Sequence, residues 1–224
     1  MARSGWSRVT GIDWDNHRCL DPDDVCLFYE TREHHQPGDS PSSWSFAYRI
    51  IMNFKKPPSR KEKPEWRYKE EAIGIISNDL SALLRSLNLG NRYLLVPAIT
   101  SRCKSDPEYD DRLIMVCRSA AEGIGNVECR ELLLARRTVT SSSKGGDRSV
   151  RATLGNIDVC PFPQDSAVRY DAVLVFDDVL TTGAHFKACQ AALLEIFGTT
   201  PIVGVFWART ESPAESAAST LNPF

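Results

Sequence analysis

Residues 171–187, reading DAVLVFDDVLTTGAHFK, constrain this chain more than any other stretch. A continuous apolar run at 172–176 has the pattern of a strand buried on both faces, the usual state of a strand inside a parallel sheet. It leads directly into Asp177 and Asp178, then a turn of small hydroxyl residues and a glycine, Thr181-Thr182-Gly183, and then helix-forming residues over 184–197. A buried strand that turns sharply into a helix belongs to an α/β architecture. In open α/β sheets, ligands sit at the carboxyl ends of the strands.

The remaining pattern agrees. Ile73, Ile76, Leu80, Leu83, Leu84 and Leu87 recur at helical spacing, so 69–88 is expected as an amphipathic helix ending near Gly90. Strands are expected at 25–30, 92–97, 131–136, within 149–157 and at 201–207, with a helix near 110–122. Residues 44–54 suit either a strand or a short buried helix, and periodicity does not decide. Residues 55–65 carry Lys55, Lys56, Arg60, Lys61 and Lys63 among three prolines and read as a basic, non-helical surface segment. Strands alternating with helices predict an α/β fold with a mainly parallel sheet flanked by helices. The expected division is an N-terminal extension at 1–90, a core at 91–210 and a tail at 211–224.

The chemistry concentrates at the strand–turn–helix. A turn opening onto a helix N-terminus presents unpaired N–H groups and the positive end of the macrodipole. Thr181 and Thr182 add hydroxyl donors, and Gly183 lets the backbone approach a phosphate closely. Carboxylates beside such an anion site suit a ligand that also offers sugar hydroxyls or a divalent metal. Together they describe a receptor for a ribose 5-phosphate. Residue by residue, a plain turn and helix cap remains the alternative.

VLVFDDVLTTG resembles the phosphoribosyl-diphosphate (PRPP) binding motif of the type I phosphoribosyltransferases, in particular the ComF-like, competence-type members. The resemblance spans about 92–210: the strand before Ser101 and Arg102, Asp110-Asp111-Arg112 opening a helix, the strand at 132–136, the loop to Arg148, and Ala208-Arg209 all fall in the ComF-like order. It implies the type I phosphoribosyltransferase fold with an N-terminal extension, PRPP as ligand and Mg²⁺ as cofactor. By the same resemblance Asp177 and Asp178 hold the ribose hydroxyls, while Thr181, Thr182, Gly183, Ala184 and His185 surround the 5′-phosphate. Ser101 and Arg102 lie at the pyrophosphate loop, and 137–147 is the lid, with Lys144 or Arg148 steadying pyrophosphate. A solvated surface loop is the plain alternative for that lid. Asp177, Asp178 and Arg148 are the expected catalytic residues, in a transfer that displaces pyrophosphate at C1 through an oxocarbenium-like transition state.

Three positions depart from the pattern. His185 stands where a hydroxyl residue is common, with a capping or surface histidine as the other reading; the pyrophosphate loop reads Ala98-Ile99-Thr100; and Arg151 replaces an Asn. These departures keep a second function open: a PRPP- or nucleotide-binding effector or regulator without salvage activity, of the competence or retron-type antiphage kind, forming a homo-oligomer or a protein assembly through residues 1–90.

Composition narrows the partners. A net charge of −2 gives no global basic field for nucleic acid, so the 55–63 cluster is first a solvated charge run and only second a backbone contact. No apolar run approaches the ~20 residues of a membrane span. Seven cysteines without a C-x-x-C pair argue for reduced thiols in a cytoplasmic protein rather than a disulfide framework. His34-His35 has no carboxylate or cysteine at ligand spacing and reads as a loop pair.

Overall fold

In the computed structural model, the residues described are 5–10, 16–32, 44–139, 149–162 and 169–210. At the centre of the sheet lies β7 (Ala172–Leu180), the strand of the DDxxTTG stretch, buried from Val173 onward. It pairs in parallel with β3 (Tyr93–Pro97) on one side and with β8 (Ile202–Thr210) on the other. Beyond them lie β4 (Val127–Cys129), parallel to β3, and β2 (Val25–Arg32), parallel to β8. A two-residue edge strand, β1 (Ser7–Arg8), closes the order β1-β2-β8-β7-β3-β4 as its antiparallel member. The expected α/β class with a mainly parallel sheet is what the chain adopts. A separate antiparallel pair is formed by β5 (Leu133–Ala135) and β6 (Ile157–Val159).

Helices cover both faces. Residues 44–54 resolve into α1 (Phe46–Phe54): Ser45 caps it by accepting from the Tyr48 N–H at 3.3 Å, and Ala47, Ile50, Ile51 and Phe54 form its buried stripe. Two single 3-10 turns, Pro58–Arg60 and Pro64–Trp66, carry the proline-rich segment into α2 (Arg67–Ser86), which buries Ala72, Ile76, Leu80, Leu83 and Leu84. Next come α3 (Arg112–Ala121), α4 (Val150–Leu154) and α5 (Ala184–Phe197). Successive strand residues point to opposite faces, and β8 shows which helix lies where. Phe206 meets Phe186 of α5 edge-on at 6.1 Å between ring centroids, while the next residue, Trp207, hydrogen-bonds Asp79 of α2 at 3.0 Å. So α2 and α5 lie on opposite faces. The boundary expected at residue 90 falls within one sheet, because β1 and β2 come from 1–90 and α2 packs against α3.

Two expectations are corrected. The strand placed within 149–157 is a helix at Val150–Leu154, because Ser149 caps it by accepting from the Ala152 N–H; extended structure begins only at Ile157. The central strand does not stop before the acidic pair. Val179 and Leu180 continue the ladder opposite Ala208 and Arg209, so both carboxylates are strand residues. No disulfide joins the seven cysteines. No helix among the described residues is long and apolar enough to cross a membrane.

Candidate functional site

Three strands converge at the carboxyl edge of the sheet. Pro97 of β3 lies beside Phe176, the Ala98 N–H donates to the Phe176 carbonyl at 2.8 Å, and Phe206 of β8 lies beside Asp177. Adjacent on one strand, Asp177 and Asp178 face opposite sides. Asp177 turns to the α5 face, where its Oδ2 accepts from His185 Nδ1 at 2.7 Å; its Oδ1 accepts the Asp178 N–H at 2.8 Å. Asp178 turns to the α3 face, with Oδ1 2.9 Å from Lys55 Nζ and Oδ2 3.1 Å from Arg112 Nη2. Arg112 also holds Asp110 at 2.8 Å, and Asp110 in turn binds the buried Lys69 at 2.6 Å. A chain of alternating charge thus runs inward from Lys55 to Lys69.

The Thr181-Thr182-Gly183 turn is shaped by residues far away in sequence. His17, fully buried, donates from Nδ1 to the Thr181 carbonyl. The Cys19 N–H donates to the Thr182 carbonyl at 2.9 Å. A trans peptide sets each carbonyl opposite the N–H of the next residue. With both carbonyls tied to the 16–24 segment, the amides of Thr182 and Gly183 point away from it. The same segment is anchored on α5, where Lys187 Nζ lies 2.9 Å from both Asp21 and Asp24.

Gly183 has φ +83°, a left-handed conformation suited to a concave row of amides ahead of a helix. A Cβ there would lie 2.7 Å from Leu20 Cδ2. Gly183→Ala is therefore expected to cost about 2–5 kcal/mol, the sum of left-handed strain and overpacking against Leu20. Urea denaturation checks this. A companion Leu20→Ala change should recover the steric part but leave the strain.

Of the expected site residues, the structure brings together Asp177, Asp178, Thr181, Thr182, Gly183, Ala184 and His185. His185 is bound to Asp177, with its side chain 37% exposed. Ser101 accepts the Val139 N–H through its carbonyl at 2.8 Å. Arg102 is engaged by Asp106, with Nη1 3.0 and 2.9 Å from its two oxygens. Lys144, Arg148, residues 140–147 of the expected lid and His34-His35 lie outside the described residues. Sequence reading missed the contacts of His17, Cys19 and Leu20 with the turn, and those of Lys55 and Arg112 with Asp178. The signal for Lys55 was its place beside an apolar helix; nothing local marked its partner.

Charge neighbours set the titration. Burial pushes the Asp178 carboxyl up, but Lys55 and Arg112 outweigh it and bring the pKa to about 2 from an ordinary 3.8. A depressed carboxyl stabilises the fold above its unfolded pKa. That stabilisation, roughly 2 kcal/mol, is lost as pH falls from about 4 to about 2. For His185, burial acts downward, yet the charge and hydrogen bond of Asp177 raise the pKa above 6.5. Its contribution is fully present below pH 6.5 and fades as pH rises through the raised value. Urea midpoints followed against pH should therefore fall on the acid side below about 4 and soften above about 6.5. His185→Gln should remove the alkaline softening alone.

By the resemblance, magnesium would be carried on the pyrophosphate and ribose oxygens of PRPP and need few protein ligands; as direct ligands, Asp177 and Asp178 do not fit it. Both oxygens of Asp178 face cations, and those of Asp177 face His185 and a backbone N–H. Among the described residues no three His, Cys, Asp or Glu side chains are grouped to hold a metal.

Comparison with known proteins adds a distant likeness. No protein-family model and no curated protein matches the chain. Two crystal forms of a hypoxanthine phosphoribosyltransferase from Staphylococcus aureus, tetragonal and orthorhombic, align with 64% of this chain at 15% and 16% identity. They are covered over 75% and 69% of their length, with TM-scores of 0.38 and 0.34.

Proposed function

We propose that the chain binds a ribose 5-phosphate at the carboxyl edge of β7, with PRPP the fullest ligand of that class. The observation that carries this reading is the turn at 181–183, where the Thr181 and Thr182 carbonyls are tied back and the amides of Thr182 and Gly183 point the other way, ahead of α5. The 5′-phosphate would sit on the amides of 182–185 with the Thr181 and Thr182 hydroxyls, at the positive end of the helix. The ribose would lie against the acidic edge, its hydroxyls donating to Asp177 or Asp178, and the pyrophosphate would extend away from the 181–185 turn. In a transferase, this placement would hold C1 open to an acceptor while charge builds on the leaving pyrophosphate.

A binding effector without turnover is the second reading, favoured by one observation. Asp177, Asp178 and Arg102 are each bound to a charged or titratable partner of the chain itself. Calorimetry tests the shared part: ribose 5-phosphate and PRPP should both bind, and Asp177→Asn with Asp178→Asn should weaken PRPP at least about 10-fold. No heat with either ligand overturns the proposal. Pyrophosphate release assayed with bases, nucleotides and amines divides the two readings. Release with any acceptor makes the chain a transferase, and release with none makes it an effector.

A further inference from the structure

Resting on that ribose-phosphate reading, we propose that Lys55 and Arg112 form a cationic wall that receives the pyrophosphate of PRPP, so that binding needs no divalent cation. Lys55 is placed for this by its backbone. Its N–H closes α1 by donating to the Ile51 carbonyl at 3.0 Å, which fixes where the side chain emerges. That side chain is 39% exposed, over an Asp178 side chain only 6% exposed. Anything approaching Asp178 from solvent meets Lys55 first.

Arg112 stands behind it. Its guanidinium lies 5.3 Å from the centroid of the Phe54 ring and bridges Asp110 and Asp178, which leaves it little freedom to move. Its buried Nε has no hydrogen-bond partner among the described residues, an unspent donor beside the acidic edge. The local charge is already balanced: Asp110 and Asp178 face Lys55, Lys69 and Arg112, while Asp177 faces His185. A neutral or positive site draws an anion rather than a metal cation.

Ligand entry then proceeds by exchange. A ribose hydroxyl donates to Asp178 Oδ1 as Lys55 swings from that oxygen to a pyrophosphate oxygen, while Arg112 stays on Oδ2. Because Asp177 and Asp178 face opposite sides of the sheet, Lys55 meets the end of the ligand remote from the 181–185 turn. That end is the pyrophosphate, which ribose 5-phosphate lacks.

Calorimetry on the full chain, with PRPP and with ribose 5-phosphate, each in magnesium and in EDTA, tests this. Wild-type affinity for PRPP should change less than about threefold when magnesium is removed. Lys55→Met should weaken PRPP at least about 10-fold, the size of a lost charged hydrogen bond, and leave ribose 5-phosphate unchanged; Lys55→Arg should stay near wild type. A more than tenfold magnesium dependence in the wild type overturns the proposal. So does Lys55→Met binding PRPP as tightly as wild type or more so, which would make Lys55 a plug. A wild type that binds neither ligand overturns the site reading itself and is recognised by the absence of heat in every arm.

Discussion

Arg112→Met is expected to lower the unfolding free energy by about 3–5 kcal/mol, the cost of removing one partner from a buried ionic cluster. Arg112 touches two carboxylates at once, Asp110 and Asp178, both buried. Without it, Asp178 keeps the half-exposed Lys55 as its charged partner, and Asp110 keeps Lys69 and the backbone N–H of residue 112. Methionine preserves much of the packing on Phe54, so the loss reports charge rather than a cavity. Arg112→Lys should recover only part of it, since an ammonium lacks the planar fork that spans two carboxylates. Urea unfolding at neutral pH measures both variants. A loss under about 1 kcal/mol for the methionine variant would show that the cluster tolerates unpaired charge, contrary to this account.

The second large effect is at Trp207. Its ring is fully buried on β8, its Nε1 donates to Asp79 of α2 at 3.0 Å, and it lies 6.4 Å from Phe46 of α1. One side chain from the last strand thus fastens both helices of residues 46–86. Trp207→Ala should cost about 3–5 kcal/mol through lost burial and the cavity left behind. Trp207→Phe keeps most of the ring and should cost about 1–2 kcal/mol for the hydrogen bond to Asp79. The unfolding transition should stay single, with α1 and α2 lost together with the sheet. A separate early transition would mean that residues 1–90 fold on their own.

Local pattern revealed what local physics determines. The α5 boundaries at 184 and 197 follow from an apolar helical run that starts after Gly183 and stops at Gly198, and the structure has that helix. The apolar run of the central strand stops four residues before the strand does, because Asp177 and Asp178 have turn preferences; pairing of Val179 and Leu180 with β8 overrides them. The three-residue β4 carries too little sequence to signal itself. At 149–157, where a strand is expected, the Ser149 cap decides for a helix.

The site divides the same way. Its carboxylates and turn were legible because they are contiguous. Its electrostatics were not, since Lys55, Arg112 and His17 reach it from 123, 66 and 164 positions away along the chain. No window of sequence contains such pairs.

The most direct test of the ribose-phosphate site is an amide chemical-shift map of the chain titrated with PRPP. The account predicts that the largest shifts fall on the backbone amides of Thr182, Gly183, Ala184 and His185, with lesser ones at Asp177 and Asp178. Saturable binding whose shifts fall elsewhere and spare residues 181–185 would contradict it.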